Sequence, residues 1–158
     1  EAALGIFKGG NYTLTHATLA NYWDFNPALP GLGIYATNEY QNGTALENGP
    51  LSLKVNNSII YGSTENMVEL KQTSGQTFTT EFNYSLLKYG TKATYATANS
   101  IKNQDPKFVN YFTQKMNLRV KEDSPAKGEG SSSYVSGSTL KDIVGVTRTN
   151  PPTIGAYQ

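Results

Sequence analysis

No cysteine occurs in the 158 residues. That excludes disulfides, thiolate nucleophiles and Cys-based zinc sites. Histidine occurs once, at His16, so a two-His metal site within this chain is excluded as well. Charge is scarce: Asp, Glu, Lys and Arg make up 16% of the residues, against about a quarter in an average globular domain. Basic residues number 13 and acidic residues 12, for a net charge of +1. Without a basic excess there is no electrostatic basis for binding nucleic acid or an anionic membrane. No run of about 18 apolar residues is present, so no transmembrane helix is expected. The chain starts at Glu1 without a methionine, and a leader or a longer upstream region is expected to have been removed.

The missing charge is replaced by Asn, Thr, Ser, 15 Gly and 11 Tyr. This is the composition of a turn-rich β protein. The length suits one domain with a real core. Three segments share a pattern: Thr15-His16-Ala17-Thr18-Leu19-Ala20, Val55-Asn56-Asn57-Ser58-Ile59-Ile60 and Phe82-Asn83-Tyr84-Ser85-Leu86-Leu87. Each reads Asn or His, any residue, Ser or Thr, then two apolar residues. The second and third lie 27 residues apart, and the first precedes the second by about 40. Such spacings are those of stacked repeats with loop insertions.

Each segment follows a stretch with strand character: Tyr12-Thr13-Leu14, Leu51 to Val55 and Thr77 to Phe82. Alternation with period two places one face of a strand in a core. Val55 with Phe82, and Ile59 with Leu86, are expected to form interior apolar stacks of parallel strands. Asn56 and Asn83 are expected to form an amide ladder at a left-handed corner, with His16 at its start. Residues 24–50 read as a protruding loop, with a short strand at Gly33-Ile34-Tyr35-Ala36 as an option. Residues 91–104 read as a second insertion, and the Ser/Gly-rich 128–139 as a flexible third. Phe108, Phe112 and Met116 have helical spacing, which leaves a short helix open beside an extended reading.

The last third carries Asp105-Pro106-Lys107-Phe108-Val109-Asn110, Met116 to Val120 and Ser124-Pro125-Ala126-Lys127-Gly128-Glu129-Gly130. It ends on Asp142-Ile143-Val144-Gly145, Arg148 and Pro152-Thr153-Ile154-Gly155-Ala156-Tyr157. In order and spacing these motifs resemble the closing segment of bacterial secreted pectin-lyase-like proteins of the choice-of-anchor-Q type. Those domains end in an SPAIDAG, D-x-x-G-x-x-R, DIGAYE pattern. Here Lys127-Gly128-Glu129 replaces the apolar residue and Asp of the first motif, and Gln158 replaces the final Glu.

The resemblance implies an all-β fold, a right-handed single-stranded parallel β-helix. Residues 1–104 would form its last coils, with insertions at 24–50 and 91–104, and 105–158 the closing cap of the same domain. It also implies a bacterial protein that is secreted or held at the cell surface. Its amino-terminal edge, entered at Glu1 to Phe7, is expected to be open and available for self-association.

The acids Asp24, Glu39, Glu47, Glu65, Glu69 and Glu81 are dispersed, with no D-x-D or D-x-x-D motif. A glycosidase needs two facing carboxylates, and a calcium-dependent lyase needs a cluster of them beside a basic residue. Arg119 and Arg148 belong to the closing motif and suit the tying of loop carbonyls. His16 reads as a hydrogen-bonded corner residue. No catalytic residue, metal ligand or cofactor is therefore assigned. The candidate ligand-binding residues are aromatic: Tyr22, Trp23, Tyr35 and Tyr40, whose faces suit sugar rings. Sequons at Asn56 and Asn83 coincide with the repeat and are read as repeat geometry. The expected function is a non-catalytic scaffold for adhesion or for contact with polysaccharide or a cell-surface glycan. The alternative is the carboxy-terminal part of a polysaccharide lyase or glycoside hydrolase whose catalytic coils lie upstream.

Overall fold

The computed structural model describes residues 2–22, 31–91, 93, 95 and 97–158. Among them every regular element is a strand or a three-residue 3₁₀ turn, so the chain is all-β. The strands come in successive passes of the chain. The first pass gives β1 (Ala2–Ile6), β2 (Gly10–Thr15) and β3 (Thr18–Asn21). The second gives β4 (Leu32–Thr37), a hairpin of β5 (Glu39–Asn42) and β6 (Ala45–Asn48), then β7 (Leu51–Asn56) and β8 (Ile59–Gly62). The third gives β9 (Val68–Lys71), β10 (Phe78–Asn83) and β11 (Leu86–Leu87), and the fourth β12 (Thr97–Ala98) and β13 (Ile101–Lys102). The chain finishes with an antiparallel pair, β14 (Phe108–Asn110) and β15 (Asn117–Val120).

Each pass lays its strands on equivalents in the pass before. Three parallel sheets result: sheet A of β1-β4-β9, sheet B of β2-β7-β10-β12 and sheet C of β3-β8-β11-β13. Between the second and third passes the register is the expected offset of 27, with Val55 opposite Phe82 and Ile59 opposite Leu86. Among the described residues β1, β2 and β3 pair on one side only, which leaves a sheet edge along the first pass.

Hydrogen bonds in the bend between sheets B and C explain the repeated motif. Ser58 Oγ donates to Asn56 O (2.7 Å) and accepts from Ala17 N (3.0 Å). Ser85 Oγ donates to Asn83 O (3.0 Å) and accepts from Ser58 N (3.1 Å). Ser100 Oγ accepts from Ser85 N (3.1 Å), so the ladder crosses all four passes. One hydroxyl thus satisfies two backbone groups that the bend takes out of the sheet. Asn83 Nδ2 donates to Asn56 Oδ1 (3.1 Å), the expected amide rung. The left-handed residue is the next one along: His16, Asn57, Tyr84 and Asn99 have φ of 55°, 47°, 49° and 49°.

Several expectations need correction. In the first pass Leu14, not Thr15, lies opposite Val55, and Thr18, not Leu19, lies opposite Ile59. By residue type Thr18 resembles Ser58, but Ala17 occupies the serine position and His16 the place of Asn57. A shift of one residue exchanges the two faces of a strand, and only this register turns Leu14 and Leu19 toward the core. The optional strand at 33–36 is present but belongs to no protruding loop: β4 is the middle strand of sheet A, with Ile34 and Ala36 fully buried. Residues 91–104 are no plain insertion, because β12 and β13 extend sheets B and C. Phe108–Asn110 and Asn117–Val120 take the extended reading, with only a 3₁₀ turn at Thr113–Lys115 between them and no continuous helix.

The Ile59–Leu86 stack is also placed differently. The inner core takes Ile34, Leu53, Val55, Ile60, Phe82 and Leu87, whereas Ile59 and Leu86 face the other way. They form a second core with Tyr61, Phe108, Ala126 and Ile154. Sheet C is therefore apolar on both faces, and the carboxy-terminal segment lies along its outer one. Gly155 N donates to Asn57 O (2.8 Å) and Ala156 N to Thr18 Oγ1 (2.9 Å). The Ser/Gly-rich stretch is tied down there too: the Asn57 side chain donates to Ser131 O and accepts from Ser131 N, both at 2.8 Å.

Candidate functional site: an aromatic cleft on sheet A

Alternation along β4 turns Ile34 and Ala36 inward and Tyr35 outward. The outer row of sheet A reads Gly5, Tyr35, Glu69 across its three strands. Gly5 matters through the side chain it lacks, since a Cβ there would meet the Phe7 ring at 2.9 Å. Phe7 therefore folds across the row toward Tyr35, with ring centroids 5.6 Å apart. Tyr40 comes from the β5–β6 hairpin and presents its ring to Phe7 edge-on at 6.3 Å. Phe7 and Tyr40 are about half exposed, at 52% and 47%.

The hairpin is anchored by Asn38, which is fully buried. Its Oδ1 accepts from Thr73 N (2.7 Å), and the adjacent Glu39 carboxylate accepts from Thr73 Oγ1 (2.7 Å). Lys71 Nζ lies 5.4 Å from the centre of the Tyr35 ring and 3.5 Å from Glu69. Tyr35 and then Glu69 hold the Lys71 ammonium above its usual pKa. Between wall and hairpin lies an open cleft of about 640 Å³, lined by Phe7, Tyr35, Tyr40, Glu39, Lys71 and Gln72 among others. An apolar hollow of about 460 Å³ beside it shares Phe7 and Tyr35.

Exposed aromatic faces next to a carboxylate, an amide and an ammonium can stack on a sugar ring and hydrogen-bond its hydroxyls. Glu39 is the only carboxylate in the described lining, so no facing acid pair is assembled there. No group of three or more His, Cys, Asp or Glu residues that could hold a metal occurs among the described residues.

Of the four aromatic candidates, Tyr35 and Tyr40 come together. Tyr22 lies elsewhere, stacked on Tyr111 (4.2 Å) and edge-on to Phe108 in the second core. Burial, then Asp105, pushes its phenol above the ordinary range. Trp23 lies outside the described residues. Phe7 was missed. Its signal was an aromatic directly after an alternating strand and just before Lys8-Gly9-Gly10.

The closing motifs have structural roles. Both oxygens of Asp142 accept backbone N–H groups, from Val144 (3.0 Å), Val146 (2.8 Å) and Gln158 (2.9 Å). Burial pushes this carboxyl up, but those three donors outweigh it and hold the pKa low. Arg148 Nη2 donates to Ala156 O (3.3 Å), the loop tie expected of it, while Arg119 stacks on Tyr157 at 4.8 Å. Ser124 Oγ donates to Pro106 O (2.7 Å) and accepts from Ala126 N (3.1 Å).

His16 is buried at this junction, with its Nε2 3.0 Å from Asn57 Nδ2. The amide donates, so the ring proton sits on Nδ1. Burial, and then the Arg148 charge, lower its pKa from 6.5 to about 4, against an opposing pull from the Gly155 and Thr153 carbonyls. Above pH 6.5 the ring is neutral in both folded and unfolded chains. Below it the unfolded chain binds a proton that the folded chain refuses until about pH 4. Stability should therefore fall by about 2–3 kcal/mol between those limits. Denaturant titrations across this range should show the slope in the parent and its loss in His16→Asn. An unchanged slope in the variant would refute the assignment.

Among the described residues no helix is long and apolar enough to cross a membrane. No protein-family model, curated protein or solved structure matches this chain.

Proposed function

We propose that the chain is a right-handed parallel β-helix of the pectin-lyase-like kind, serving as a non-catalytic scaffold that contacts polysaccharide or a cell-surface glycan. In this reading it is secreted by, or held on the surface of, a bacterium. Three parallel ladders support the β-helix: sheets B and C gain one strand in each of the four passes, and sheet A one in each of the first three. Right-handedness follows from the near-universal hand of parallel crossovers. The observation that carries the function is the aromatic set of exposed Phe7 and Tyr40 with half-buried Tyr35, held by sheet A and an anchored hairpin beside Glu39 and Gln72.

Affinity electrophoresis against neutral and acidic polysaccharides, followed by calorimetry on any that retard the chain, tests this. Tyr35→Ala and Tyr40→Ala should each weaken binding about 3- to 10-fold, the worth of one aromatic contact. A parent chain retarded by no polysaccharide, or variants that bind like the parent, would refute the proposal.

A further inference from the structure

A second cleft, of about 490 Å³, opens where the carboxy-terminal segment crosses the first-pass bend. Thr15, His16 and Thr18 form one side, and Ser138, Lys141 and Arg148 are on the other. Two groups in its walls are more than nine-tenths buried yet incompletely partnered. Arg148 is 8% exposed, and its Nε and Nη1 have no hydrogen-bond partner among the described residues. His16 is 6% exposed, and its Nδ1 makes no well-formed hydrogen bond among the described residues, although the Gly155 and Thr153 carbonyls act on the ring. These atoms are closed to solvent, so they act on the cleft through charge and polarity rather than by direct contact.

Charge narrows what the cleft can hold. Lys141 is exposed and makes no ion pair among the described residues. Lys141 and Arg148 together outweigh Asp142, whose oxygens are already taken by three backbone donors. His16 adds no charge near neutral pH. One positive charge remains, which balances a monoanion better than a dianion. The hydroxyls of Thr15 and Ser138 make no hydrogen bond among the described residues, so both are free for a ligand's polar groups. The volume lies in the range of small-molecule sites and exceeds what a bare carboxylate would fill.

We propose that this cleft binds a singly charged hydroxycarboxylate. Lys141 takes the carboxylate at the mouth, the Arg148 guanidinium supplies the positive field from the wall, and Thr15 and Ser138 hydrogen-bond the ligand's hydroxyls. The proposal is independent of the sheet A cleft.

Nitrogen-15 NMR of the whole chain tests it. His16 is the single imidazole and Arg148 one of two arginines, so their side-chain signals are readily assigned. Gluconate is the probe, with acetate, the neutral polyol sorbitol and sulfate as comparisons. Gluconate should shift the His16 and Arg148 signals saturably, at least tenfold more tightly than the other three. Lys141→Glu should weaken gluconate at least tenfold with an unchanged thermal midpoint, and Ser138→Ala should weaken it less. Tyr35→Ala should leave it unchanged. Acetate binding as tightly would overturn the hydroxyl contacts, sorbitol the charge contact, and sulfate the preference for a monocarboxylate. Absence of any shift, or a Lys141→Glu chain that binds like the parent, would overturn the site itself.

Discussion

Ile59→Ala is expected to destabilise the chain by about 2–5 kcal/mol. Ile59 is 1% exposed and stacks on Leu86, but the space it fills lies between sheet C and the carboxy-terminal segment. An Ile truncated inside a closed sheet system loses its own contacts and leaves a cavity. Here the truncation also loosens the segment that carries Ala126 and Ile154, because both pack in the same cluster. Gly155 sits directly over this position, and a Cβ on it would meet Ile59 Cδ1 at 2.8 Å. Amide exchange should separate the two effects. In Ile59→Ala the amides of Ile154, Gly155 and Ala156 should lose protection more than those of β7 and β10. Uniform loss, or a denaturation midpoint near the parent's, would show that Ile59 does not couple the segment to the sheet.

Gly62→Ala should be nearly as damaging, for the opposite reason. Gly62 ends β8 opposite Asn21, and a Cβ there would lie 1.9 Å from the Asn21 carbonyl oxygen and 2.9 Å from Met67 Cε. The first obstacle is backbone, so no rotamer change relieves it. Strands β3 and β8 must separate, and about 3 kcal/mol is expected, at the upper end of overpacking costs. Gly43→Asn is the matched control. Gly43 has φ of 59° and open space around its missing Cβ, and Asn tolerates that conformation. Its midpoint should stay near the parent's. A Gly62→Ala chain as stable as Gly43→Asn would show that the two strands do not approach this closely.

Much of the second and third passes was legible in the sequence. Leu51, Leu53 and Val55 alternate with exposed or half-buried residues, and a 27-residue offset repeats the strand, the Asn and the Ser. Both signals are local or purely translational, so reading them needs no knowledge of distant contacts. The first pass was misread by one residue because residue identity is a poor guide where a position is lost. Ala17 accepts its place in the serine ladder by donating its N–H to Ser58, which demands nothing of its side chain. Strand β4 was legible only as an option inside a stretch dense in Gly and Pro, since turn residues on both sides do not reveal that a short apolar strand between them is central.

The candidate site was half legible. Tyr35 and Tyr40 were suspected as aromatics near a loop, but nothing in their spacing brings Phe7 between them. That meeting depends on β1 pairing with β4 and on the empty outer position at Gly5. Tyr22 looked equivalent in sequence and is not, because the outer face of sheet C is covered where that of sheet A is open.

By itself the sequence determined the all-β class, the period of the second and third passes and the polar bend, because these follow from alternation and from chemistry within a few residues. It also excluded disulfides and thiolate chemistry outright, by having no cysteine. Only the tertiary structure decided which face of sheet C is inside, where the carboxy-terminal segment lies, and which aromatics and charges meet in a cleft. Those outcomes depend on which surfaces remain uncovered once the passes stack, and no local pattern encodes a surface that distant residues cover.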